Sequence, residues 1–78
     1  MECQAEMQAL VIAQFKRSEA RLRELMESEK ALHEIERWTK DLYDWADLRR
    51  AKRDVLCWEA RCNRAEIALK RCVKRTRN

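Results

Sequence analysis

The 78 residues contain no glycine and no proline. Those two residues are the strongest local punctuators of a polypeptide, so a chain without either has few ways to break one kind of element into another. A glycine-rich phosphate-binding loop is excluded outright. Aromatic residues are scarce, with three Trp, one Tyr and one Phe. No apolar run approaches the length of a transmembrane helix, roughly 18 residues or more. The longest, Ala9 to Ala13, follows acidic Glu2 and Glu6 where a secretory signal would carry basic residues. The chain is therefore expected in the cytoplasm, with no membrane partner. What it has in abundance is charge, at 41% of residues, spaced as on helices, and an all-α fold is the expectation.

Two apolar seams can be traced. In the first half Val11, Phe15, Ser18, Leu22, Leu25, Glu29, Leu32 and Ile35 or Glu36 step by four and three residues, the a/d spacing of a packed helix. In the second half Leu48, Ala51, Val55, Trp58, Cys62, Ala65, Leu69 and Cys72 do the same. Between them Trp38, Leu42 and Trp45 slip the phase. Asp44 is a candidate N-cap, with Asp47 three residues on and Tyr43 placed to staple against Leu48; Thr39 is a second candidate cap. The expected architecture is a single antiparallel two-helix hairpin, coiled-coil-like, with helix one over about 3–38, a turn over about 39–43 and helix two over about 44–75. The competing fold is one continuous helix in a two-stranded coiled coil that absorbs the slip.

Folding back near Asp41 and Leu42 sets Val11 against Cys72, Phe15 against Leu69, Leu22 against Cys62, Leu25 against Trp58 and Glu29 against Val55. Glu29 is the one charge this register places in the seam. The halves also differ in sign: residues 1–43 carry 7 basic and 9 acidic side chains, residues 44–78 carry 11 and 5. A lone hairpin leaves Met7, Leu10, Ile12 and Met26 off the seam of helix one, and Leu56, Ile67 and Val73 off that of helix two. The first four are the expected self-association residues, pairing two hairpins into a four-helix bundle, a homodimer.

Chemistry-bearing constellations are few. Cys3, Cys57, Cys62 and Cys72 show no C-x-x-C spacing, and Cys62 and Cys72 lie on the seam, so all four are expected as reduced, buried or idle thiols. His33 is the lone histidine, which offers no metal-ligand set. With no convergent catalytic groups, no enzyme, no cofactor, no metal and no small-molecule substrate are expected.

Two surfaces invite a partner instead. Arg50, Arg53, Arg64, Arg71 and Lys74 fall on the outward side of helix two, flanked by Arg49, Lys52, Arg61, Lys70, Arg75 and Arg77. Such a stripe suits an acidic protein surface or nucleic acid. Trp38 and Trp45 flank the turn and are candidate contact residues, or else a plug closing the bundle end; Trp58 belongs to the core. Asp54, Glu59 and Glu66 are mixed through the basic helix, close to any phosphate path, which favours the protein partner.

In length and heptad content the chain resembles small helical hairpins that pair into four-helix bundles, such as plasmid copy-number regulators of the Rop type; no motif is shared, so no residue roles carry over. A short chain that begins at Met1 without catalytic apparatus is also similar to the products with which phages and mobile elements bind and inhibit host proteins. The expected function is that of a non-enzymatic protein that self-associates and binds another protein to modulate or inhibit it. Nucleic-acid binding through helix two is the alternative.

Overall fold

The structure, a computed structural model, describes residues 3–38 and 44–77. They form two long helices, α1 (Gln4–Glu36) and α2 (Trp45–Arg77), packed along each other as an antiparallel hairpin. The molecule is a rod of 62 × 15 × 13 Å. Both helices stop inside or beside the expected limits of 3–38 and 44–75; the turn expected over 39–43, with Thr39 and Tyr43, lies outside the described residues.

Local chemistry sets the described ends. Asp44 caps α2: its Oδ1 accepts a hydrogen bond from the Ala46 N–H at 3.0 Å, and its carbonyl accepts the Asp47 N–H at 3.0 Å. α1 closes with the Arg37 N–H on the His33 carbonyl and the Trp38 N–H on the Ile35 carbonyl. Trp38 takes φ 61° there. A glycine normally fills this left-handed position after a helix; in a chain without glycine, a tryptophan bears the steric cost, about 1 kcal/mol. At the opposite end of α1, Cys3 has φ 71° and its side chain provides no cap.

The seam of α2 lies where its sequence places it. Ala51, Val55 and Cys62 are buried, and Leu48, Trp58, Ala65, Leu69 and Cys72 are half-buried. α1 differs from expectation. Its buried residues are Ala13, Ala20 and Ala31, on a line with half-buried Leu10, Arg17, Glu24, Glu27 and Glu34. The expected seam faces outward: Val11 is 63% exposed, Phe15 62% and Leu25 65%. Glu29, expected opposite Val55, is exposed as well. Trp58, expected in the core, is half-buried, and the Arg61 guanidinium lies over its ring, 4.5 Å from the centroid.

The physical reason is size. Alanines at 13, 20 and 31 let the α1 backbone approach the Ala51–Val55–Cys62 face closely, whereas Leu and Phe would hold the helices apart. The fit has a cost, because Arg17 also enters this seam and its Nε is buried without a hydrogen-bond partner, worth about 1–3 kcal/mol. An ion pair, Arg21 to Glu59 at 3.3 Å, links the helices at the exposed rim, where such pairs contribute about 0–1 kcal/mol.

A disulfide fixes the register. Cys3 and Cys72 are bonded across 69 residues of sequence, with their Cα atoms 5.8 Å apart. The expectation that all four cysteines are reduced thiols is thus corrected for this pair, whose spacing in sequence carried no hint of the contact. The bond also replaces the expected pairing of Cys72 with Val11. Cys57 and Cys62 are free thiols, the first exposed and the second buried.

Candidate interaction surfaces

The outward side of α1 is one surface. Val11, Phe15, Leu22, Leu25 and Leu32 lie along a single line of the helix, with Ile12, Met26 and Ile35 beside it; each is at least half exposed. The line arises because α1 carries heptad registers on two opposite faces, the inner one mixing Leu10 and three alanines with Arg17, Glu24, Glu27 and Glu34. Positions 10, 13, 17, 20, 24, 27, 31 and 34 keep one heptad register, and positions 11, 15, 18, 22, 25, 29 and 32 keep another about half a turn away. The small-residue register meets α2, and the large-residue register is left over. Of the four expected self-association residues, Met7, Ile12 and Met26 are exposed, whereas Leu10 is half-buried on the line that meets α2.

The outward side of α2 is the second surface, and it is cationic. Arg50, Arg53, Arg64, Arg71 and Lys74 are exposed, as are Arg49 and Lys70 beside them. Arg50 approaches Asp47 to 3.9 Å in the first turn, and the Arg75 Nε donates to the Arg71 carbonyl at 3.5 Å. The acids behave otherwise. Asp54, Glu59 and Glu66 are all half-buried along the edge of the seam with α1, and Glu59 is engaged by Arg21. These acids, expected close to any phosphate path, sit beside the seam, where the heptad places them. The basic stripe is interrupted, as its sequence indicates, by Cys57, Ala60 and Ile67, all exposed, and also by exposed Leu56.

At the turn end Trp38 is 93% exposed and Trp45 37%. The plug expected there is not formed by Trp38, which stands in solvent on its left-handed backbone. Trp45 is the first residue of α2 and is further covered.

Concave features are shallow grooves. One is lined by Lys16, Glu19, Ala20, Arg23, Asp54 and Trp58 between the helices. A second, near the C-terminus, has Leu69 and Val73 as its floor and Lys70, Lys74 and Arg77 as its rim. The Cys3 and Cys72 sulfurs and a Glu6 carboxylate oxygen gather within 4.8 Å. Both sulfurs are committed to the disulfide, and a metal needs thiolates. His33 sits on the exposed side of α1, in a groove with Glu29, Leu32 and Glu36. Among the described residues no helix is long and apolar enough to cross a membrane.

Comparison of the chain with protein-family models, with curated proteins and with solved structures finds no match. The chemistry of the surfaces therefore carries the functional reading alone.

Proposed function

We propose that this chain is a non-enzymatic interaction module that self-associates and binds another protein, modulating or inhibiting it, in the manner of phage-encoded inhibitors. One observation carries the reading: the hairpin's two outward sides differ in kind, mainly apolar along α1 and mainly cationic along α2. Monomeric proteins rarely leave a contiguous apolar patch of more than a few hundred Å² uncovered. A one-signed cationic face steers encounter with an acidic surface and disfavours partners of its own sign. Arg50, Arg53, Arg64, Arg71 and Lys74 supply that face, and Trp38 and Trp45 add rigid contact area at one end.

The cytoplasm is the compartment we propose for this activity. The Cys3–Cys72 bond requires that it form against the reducing poise there, where structural disulfides are uncommon.

A second reading, nucleic-acid binding through α2, is favoured by the position of Asp54, Glu59 and Glu66 at the seam edge, which keeps these acids off the outward cations. The two readings separate by salt and by substitution. Capture of a protein from the native host, lost in the Arg64→Glu/Arg71→Glu variant, with negligible affinity for generic duplex and single strands at about 50 mM salt, supports the protein partner. Tight duplex binding that weakens steeply as salt rises supports nucleic acid. Protein capture that survives both substitutions removes the charged face from the account.

A further inference from the structure

We infer that the outward face of α1 docks on the same face of a second copy, antiparallel, in one register: Leu22 opposite Leu25, Phe15 opposite Leu32, and Ser18 opposite Glu29. This rests on the self-associating part of the reading above and specifies its geometry.

Three observations lead to it. The first is surface. A compact folded chain of 9.5 kDa exposes about 5,000 Å², whereas this one exposes 6555 Å². The apolar stripe alone offers roughly 800 Å², which is what one partner contributes to a standard stable interface. The second is the position of the two polar residues in the stripe, Ser18 and Glu29. In antiparallel pairing each a position faces a d position, so allowed registers differ by whole heptads. Shifting by one heptad either way sets Glu29 against Val11 or against Leu25, burying a carboxylate against an aliphatic chain. Only the register stated sets Glu29 against a polar residue; its cost is Val11 against Glu36, the last residue of α1, at the open end of the interface where a carboxylate reaches water. The third is charge. A parallel, in-register pair would bring Glu29 against its own copy, two like charges across the interface. In the antiparallel pair Arg21 flanks Ser28, and Glu19 flanks Met26, so no like charges meet along either edge.

The stripe lies opposite α2, so this pairing puts the two α1 helices in the middle and an α2 on each outer side. Both cationic faces stay uncovered and point away from each other. The dimer is then bivalent, able to engage two acidic sites on one partner assembly and to gain affinity by linkage.

Sedimentation equilibrium of the intact, oxidised chain tests the inference. The wild type is expected to be a dimer at micromolar concentration, and Leu22→Glu/Leu25→Glu a helical monomer, its folding checked by circular dichroism. Ser18→Lys provides a test that does not depend on disruption. It sets a lysine opposite Glu29 twice per dimer and is expected to tighten association about threefold or more, whereas a parallel pair would bring lysine against lysine and weaken. A monomeric wild type at about 100 μM, a dimer indifferent to Leu22→Glu/Leu25→Glu, a dimer weakened by Ser18→Lys, or a monomer that instead binds phosphatidylcholine–phosphatidylglycerol vesicles would each overturn it. Arg64→Glu/Arg71→Glu is expected to leave the dimer intact. A monomer that still captures its partner defeats this inference alone; a dimer that captures nothing defeats the partner-binding reading alone.

Discussion

The two helices have the same length, 33 residues each, and use it differently. α2 is amphipathic in the ordinary sense: one apolar edge against its neighbour, cations on the other side. α1 divides its apolar residues between two opposite faces, giving alanines to the hairpin and larger side chains to the outside. The difference shows that holding a hairpin together and presenting a surface place opposing demands on one helix. Small residues permit close backbone approach but remove little apolar area from water, since a buried methyl is worth only about 0.8 kcal/mol where a buried Leu or Phe side chain gives about 1.5–3. With an interior of Ala13, Ala20, Ala31, Ala51, Val55 and Cys62, the hairpin depends on covalent and quaternary support.

The strongest way to break the comparison is to remove the covalent part of that support. A crosslink spanning 69 residues stabilises by about 4 kcal/mol in the chain-entropy model. Cys3→Ser, or reductant applied to the wild type, is expected to lower the urea midpoint accordingly, and Cys57→Ser to leave it unchanged. Overpacking the inner face comes next. Ala20→Leu should destabilise the hairpin by about 1–3 kcal/mol, measured by urea unfolding of the monomeric Leu22→Glu/Leu25→Glu background. Were the large-residue face of α1 the one against α2, the same leucine would lie in solvent and cost nearly nothing. Smaller again, Trp38→Gly should gain about 1 kcal/mol by relieving the left-handed residue at the end of α1, visible as a raised Tm. Smallest, Arg21→Ala and Glu59→Ala should each cost about 0.5 kcal/mol or less and couple weakly in a double-mutant cycle, because the pair is solvent-exposed.

How much of this was legible in the sequence follows the same division. α2 could be read residue by residue, because its apolar positions form one line and its cations another, and Asp44 announces the start. The presence and limits of α1 were equally readable from its periodicity. Its orientation was not. Heptad spacing reports that a face repeats, and α1 has two repeating faces; hydrophobicity favours Val11, Phe15 and Leu22, while the closeness of packing that Ala13, Ala20 and Ala31 permit enters no hydrophobic count. The register failed for a related reason, since heptads match modulo seven and the contact that settles it, Cys3 with Cys72, joins residues with no spacing signature. At the surfaces, the cations of α2 could be placed from sequence, and the heptad also sets Asp54, Glu59 and Glu66 beside the seam; what needed the fold was the partner Glu59 meets there, Arg21.

In this hairpin α1 turns its alanine face, and not its large apolar face, toward α2. Intramolecular nuclear Overhauser contacts to the Trp58 indole test this most directly, because Trp58 sits at mid-seam and both candidate neighbours carry methyl groups. The account predicts a cross-peak from the Ala20 methyl, which lines the same interhelical groove as Trp58, and none from the Leu25 methyls. A Leu25–Trp58 cross-peak within one chain, with Ala20 silent, would contradict it.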